Sequence, residues 1–224
     1  MSEADTTSTA VGGGQVMTTA PPRSILAPYR VFNDFLDAAS VKAMLALTLS
    51  EEAAFQPSKV GPPGGVANRD VRISNVLRNR EALKPIFAER LQDLTSGLVE
   101  SMRLSHFTVA GVELELAAHG DGAFYKRHVD TGTGGVSTSL RVLSGVYYFH
   151  HQPKGFSGGA LRLYSIGDHN AFVDIEPVHN SLLVFPSWAP HEVMPVRCPS
   201  GRFIDSRFAV NCWLHCKIEV ATQD

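Results

Sequence analysis

A chain of 224 residues, 44% of them apolar, with a formal charge of -2, has material for one sizeable core. Its 20 Lys and Arg residues are scattered among 22 Asp and Glu, so there is no basic footprint for nucleic acid, and no run of 18 apolar residues could span a membrane. Three cysteines clustered late in the chain (Cys198, Cys212 and Cys216) are poor material for a disulfide framework, and a cytoplasmic protein is expected.

Residues 1–27 contain Gly12-Gly13-Gly14, end near Pro21-Pro22 and lack both a basic start and an apolar run, which predicts a disordered leader rather than a signal peptide. A single domain is expected over 28–224, with helical support over 34–102 and a β core over 107–216. Tyr29 to Phe35 predicts a short strand, and Asp34 or Asp37 offers a cap for a helix from Ala38 to Leu49. Phe55 to Asn68, with Pro57 and Gly61-Pro62-Pro63-Gly64-Gly65, predicts a long surface loop. Val71 to Val76 reads as a strand. Glu81 to Met102 reads as a helix whose Leu83, Ile86, Phe87, Leu91, Leu94 and Leu98 form one buried stripe, with Pro85 tolerated in the first turn.

After Met102 the pattern changes to short β-type runs: 107–109, 112–117, 139–149, 160–164, 172–175, 181–185, 191–196 and 203–215. Closely spaced strands after two helices predict a mainly β fold with flanking helices, a sandwich or barrel.

Within this region His128 and Asp130 stand two apart, so from one strand end both side chains can reach one ion. A later histidine, His191, would complete two imidazoles and a carboxylate on one side of a metal. That donor set with open positions opposite is typical of non-haem Fe(II) oxygenases. An exposed turn pair ahead of the glycine-rich Thr131 to Gly135 is the alternative for His128 and Asp130.

Arg207, Ala209, Asn211 and Trp213 alternate with Phe208, Val210 and Cys212, which gives their strand a polar face and an apolar face. An arginine inside a barrel is costly unless a carboxylate pairs with it, and no acidic residue on the neighbouring strands is an obvious partner, so a ligand carboxylate is the simplest one. Tyr148 could donate to the same group. A surface arginine on an edge strand, and an aromatic that merely packs, are the alternatives. Asn211 could touch a ligand or bond only backbone, while Arg127 and Trp188 are further candidates for substrate contact.

Taken together, Arg127-His128-Val129-Asp130, Val146-Tyr147-Tyr148, Ser157-Gly158-Gly159-Ala160-Leu161-Arg162-Leu163-Tyr164, Asp174-Ile175-Glu176-Pro177, Pro190-His191-Glu192-Val193-Met194-Pro195-Val196 and Arg207 to Trp213 resemble the 2-oxoglutarate- and Fe(II)-dependent dioxygenases. Within them the likeness is to the prolyl 4-hydroxylase superfamily, of the type that includes the hypoxia-sensing prolyl hydroxylases. The resemblance implies a double-stranded β-helix (jelly roll) with the helices behind its major sheet. It implies His128, Asp130 and His191 as iron ligands and catalytic centre, Arg207 and Tyr148 on the distal carboxylate of 2-oxoglutarate, and Trp213 in the same pocket.

Two departures stand out. Arg207 follows His191 by sixteen residues with an extra loop, Cys198 to Ser206, which contains Arg202 as a rival for the carboxylate, and Ala118 stands where the hypoxia-sensing members carry a tyrosine. The resemblance implies Fe(II), 2-oxoglutarate and O₂, with ascorbate as a further cofactor, and hydroxylation of a prolyl residue in a protein or peptide. A hydroxylase of a free amino acid or other small metabolite, and a non-catalytic jelly-roll binding module, are the rival readings. Neither nucleic acid nor membrane is expected as a partner.

Overall fold

The computed structural model describes residues 25–61, 65–78, 81–132, 139–168 and 170–217. Most of the expected leader, the tip of the 55–68 loop, part of the glycine-rich run after Asp130 and the stretch beyond 217 lie outside the described residues. The elements begin with β1 (Ile25–Leu26), β2 (Arg30–Asn33), α1 (Ala38–Ser50), β3 (Gln56–Pro57), β4 (Arg72–Ile73), β5 (Asn75–Arg78), α2 (Lys84–Ser101), β6 (Val109–His119) and β7 (Phe124–His128). They continue with β8 (Ser139–Phe149), β9 (Ser157–Gly158), β10 (Leu161–Ile166), β11 (Phe172–Ile175), β12 (Ser181–Pro186), β13 (His191–Val193), β14 (Val196–Arg197) and β15 (Arg207–Lys217).

Two antiparallel sheets form a jelly roll. The major sheet runs β2-β12-β8-β15-β6-β5-β3, and the minor one runs β1-β10-β13-β7-β4 with β11 beside β10. Alternation along β15 assigns its side chains: Phe208, Val210, Cys212 and Leu214 join Phe87, Leu91 and Leu98 of α2 and Met44 of α1 in one core behind the major sheet. Each such side chain is fully or almost fully buried, worth ~1.5–3 kcal/mol apiece for the large ones. The opposite face contributes Val146, Tyr148, Leu183, Phe185 and Ala209 to a second core with Leu161, Leu163 and Ile175 of the minor sheet. The site lies between the sheets, on the face that carries Arg207.

Several elements differ from the sequence reading. The strand expected over 71–76 is two: Arg72–Ile73 pairs with β7 in the minor sheet and Asn75–Arg78 with β6 in the major one, so the chain changes sheets at Ser74. The strand expected over 191–196 is interrupted at Met194-Pro195, because proline cannot donate to a ladder, and Val196–Arg197 pairs with β9 instead. Val109, the last residue of the run at 107–109, and the run at 112–117 belong to one strand, since Gly111 lies at an irregularity in the pairing with β15 and does not end β6, while Phe107 and Thr108 lie outside it. The 55–68 segment is not wholly irregular: β3 joins the major-sheet edge, and Val60 bridges Val66. Of the two candidate caps, Asp37 is the one used, accepting from Ser40 N at 2.9 Å, while Asp34 sits at φ 50°.

Candidate active site

His128 ends β7 and His191 begins β13, and the two are directly opposite in the antiparallel register. Asp130 follows two residues after His128. Its Oδ1 lies 3.6 Å from His128 Nε2 and its Oδ2 lies 3.6 Å from His191 Nε2. All three ligand atoms fall within 4.8 Å of one another, the one such group of His, Cys, Asp and Glu among the described residues.

Backbone carbonyls fix the imidazoles. His128 Nδ1 lies 2.8 Å from Lys126 O and His191 Nδ1 lies 2.9 Å from Ala189 O. A carbonyl only accepts, so each Nδ1 carries a proton and each Nε2, the nitrogen left to act as a ligand, faces Asp130. Burial and then His191 push the His128 pKa down to about 3, so this ring is neutral at ordinary pH. Burial alone would raise the Asp130 pKa, but it is lowered on balance, by His191 and His128 when these carry charge and by hydrogen bonds from Ser144 Oγ, at 2.7 Å, and Trp213, which remain when the rings are neutral. Ser144 Oγ is itself 2.9 Å from Ser187 Oγ, and Ser187 O accepts from the Asp130 backbone N–H.

Ser144→Ala should therefore loosen the carboxylate without unfolding the chain. An Fe(II) titration is expected to give about tenfold weaker binding, the scale on which residues supporting a ligand act.

Arg207 opens β15 and is 1% exposed. Nη1 lies 3.2 Å from His119 Nδ1, while Nε and Nη2 are buried with no hydrogen-bond partner, as is the hydroxyl of Tyr148. The guanidinium carbon sits 4.8 Å from the Tyr148 ring centroid. Its side chain runs past Gly159, where φ is +72° and a Cβ would lie 2.7 Å from Arg207 Cδ. Only glycine suits both conditions. Arg207 and the three candidate ligands line one cleft of about 490 Å³.

With that geometry in place, the comparisons are direct. Residues 114–215 match the family described as the 2OG-Fe(II) oxygenase superfamily. The stretch from β6 to β15, which carries the gathered side chains, is what resembles that family. An uncharacterized PKHD-type hydroxylase of Synechocystis is 42% identical over 144 residues, which are 61% of this chain and 47% of that protein, so the match spans about half the length of the curated relative. A Pseudomonas putida prolyl-4-hydroxylase superposes with a TM-score of 0.62 at 26% identity, over 86% of this chain and 94% of that one. A Trichoplax adhaerens prolyl hydroxylase, solved with a hypoxia-inducible-factor peptide, shares the fold with a TM-score of 0.59 at 22% identity, over 83% and 82% of the two chains.

The cleft also receives residues that were not expected there. Arg72 is buried and donates from Nη2 to Glu115 Oε1 at 2.8 Å, and Arg78 Nε reaches Glu115 Oε2 at 2.7 Å. Glu115 is thus an acidic residue on the strand beside β15, but it is committed to these two arginines and leaves Arg207 without a carboxylate. The Arg72 guanidinium covers the Tyr125 ring, and Tyr125 stacks on His128 at 3.6 Å between centroids. His119, not Ala118, is the β6 residue beside the guanidinium, because Ala118 faces the helices. Period-2 alternation along β6 carried this information, since Glu113, Glu115, Ala117 and His119 share a face.

Of the residues expected around the pocket, Tyr148, Asn211 and Trp213 stand with Arg207 on the inner face, and Asn211 Nδ2 lies 3.4 Å from Glu115 Oε1. Trp213 is six residues from Arg207, about 20 Å along a strand, and supports the Asp130 carboxylate instead of the guanidinium. Arg127 is exposed and lies over the Tyr164 ring, and Trp188 is 42% exposed; neither lines the cleft. Arg202 points outward and pairs with Asp205 at 2.8 Å, which removes it as a rival to Arg207.

The Glu115 ion pairs have a testable sign. Burial would raise the Glu115 pKa, but Arg72 and Arg78 more than offset this and lower it. A lowered folded-state pKa contributes stability that is present above the ordinary carboxylate range and lost as pH falls through it. Glu115→Gln, which strands Arg72 in the interior, should cost ~3–5 kcal/mol in urea unfolding at neutral pH. The gap between parent and variant should narrow in acid.

The donor set fits iron(II): two imidazoles and one carboxylate gathered from one side. The orphaned Nε and Nη2 of Arg207 and the hydroxyl of Tyr148 fit a ligand carboxylate.

Proposed function

We propose that this chain is a 2-oxoglutarate- and Fe(II)-dependent oxygenase that hydroxylates a prolyl residue of a protein or peptide, with His128, Asp130 and His191 holding Fe(II) and with Arg207 and Tyr148 gripping the distal carboxylate of 2-oxoglutarate. The observation that carries this reading is a buried guanidinium, free of any carboxylate among the described residues, in the same cleft as the gathered His, Asp and His side chains. Likeness to the Pseudomonas putida prolyl-4-hydroxylase supports the prolyl assignment.

Bound iron(II), with 2-oxoglutarate and O₂, supplies the oxidising power to hydroxylate an unactivated C–H bond, with succinate and CO₂ as co-products. The chain contributes position and dryness. The Lys126 and Ala189 carbonyls hold the two imidazoles in the ligating tautomer, and Ser144 fixes the carboxylate between them. The free Nε–Nη2 edge of Arg207 sets how deep a five-carbon diacid sits. Val146, Leu161 and Val193 close the cleft with apolar surface, which strengthens the charge contacts within it. Tyr125, Asn211 and Trp213 line the remainder, where a substrate side chain would lie.

The test is succinate release with a panel of proline-containing peptides against free proline and other free amino acids, with mass analysis of the peptides. A gain of one oxygen on a prolyl residue supports the proposal. Turnover confined to a free amino acid, with every peptide untouched, would overturn the peptide assignment.

A further inference from the structure

The Arg207 guanidinium has a hydrogen bond to His119, and the role of that histidine follows from donor and acceptor counting. The two residues are cross-strand partners at the ends of β6 and β15. His119 is 3% exposed, and its Nδ1 lies 3.2 Å from Arg207 Nη1. A guanidinium has donors only, so His119 Nδ1 must be the acceptor and the ring must be neutral. Burial, then the charges of Arg207 and Arg72, push its pKa well below the usual imidazole range, in keeping with that state.

With Nη1 taken, Nε and Nη2 remain, both buried and unpartnered. These two nitrogens form the side edge of the guanidinium, whose parallel N–H groups match the two oxygens of a carboxylate. Gly159 passes close enough to the Arg207 arm that an added Cβ would lie 2.7 Å from Cδ, so the arm has little room to swing toward that turn. One fixed nitrogen and one confined arm leave the guanidinium a single free edge.

We infer that His119 is a positioning residue: through Nη1 it aims the Nε–Nη2 edge of Arg207 at the distal carboxylate of the co-substrate and so selects a dicarboxylic 2-oxo acid over a monocarboxylic one. This rests on the reading that Arg207 holds that carboxylate. His119 acts through Arg207 and touches no reacting atom.

The experiment is anaerobic binding of 2-oxoglutarate and, separately, pyruvate to the Fe(II)-loaded protein, followed by the visible charge-transfer band of the chelate. His119→Leu and His119→Ala remove the acceptor, the second guarding against misfolding of the first. His119→Asn keeps an acceptor at the position of Nδ1. The expected result is about tenfold weaker 2-oxoglutarate binding for Leu and Ala, the effect of losing one buried charge-assisted hydrogen bond, with pyruvate unchanged and Asn within about threefold of the parent.

Equal weakening of pyruvate, an Asn variant as impaired as Leu, or parent-like 2-oxoglutarate binding by Leu and Ala would each overturn the inference. Arg207→Met separates the two layers. If it binds 2-oxoglutarate like the parent, the underlying reading fails; if it loses binding while the His119 variants do not, only the inference fails.

Discussion

Asp130→Ala is expected to abolish turnover, with succinate formation falling at least ~10³-fold, the scale on which loss of one member of a catalytic unit acts. The carboxylate is the one charged member of the trio and stands 3.6 Å from each facing imidazole nitrogen. Its removal leaves two imidazoles, already held by the Lys126 and Ala189 carbonyls, with no anion to neutralise a divalent ion. The variant should remain folded, because Asp130 contributes no residue to either main core and Ser144 keeps Ser187 as a partner. Fe(II) titration and circular dichroism on the same sample check both halves: lost metal binding with an intact fold.

Arg207→Met is expected to raise the KM for 2-oxoglutarate about 10²-fold, ~3 kcal/mol, as for truncating one partner of a buried charge pair. A second consequence runs the other way. Without a ligand, the guanidinium is 1% exposed with two nitrogens unsatisfied, a buried charge that costs the folded state. Methionine of similar length should therefore raise the Tm of the ligand-free protein by a few degrees while removing the further rise that 2-oxoglutarate gives the parent. Thermal scans with and without 2-oxoglutarate distinguish this from general damage, which would lower both.

A mainly β fold and its candidate centre were legible where a pattern is local, and the jelly roll through the resemblance. Alternation along Arg207 to Trp213 separates an inner face from a core face, and the structure places those side chains accordingly. The i, i+2 spacing of His128 and Asp130, with His191 across the ladder, is equally local on each strand. What escaped depends on partners distant in sequence. Phe124–His128 reads Phe-Tyr-Lys-Arg-His, too polar to mark as a strand, yet it is held between β4 and β13. Val71 to Val76 reads as one strand because its change of sheet at Ser74 is fixed only by pairing with β6 and β7. Glu115 escaped because a carboxylate on a strand says nothing of the two arginines, 43 and 37 residues away, that claim it. His119 escaped because its meaning lies in the one nitrogen it removes from Arg207.

The most direct measurement is an anaerobic titration of the Fe(II)-loaded parent with 2-oxoglutarate, recorded in the visible. A charge-transfer band that saturates at one 2-oxoglutarate per iron and per chain, absent in Asp130→Ala and shifted to far higher concentration in Arg207→Met, is the predicted result. A parent that binds iron yet develops no band, or whose band is untouched by Arg207→Met, would contradict the account.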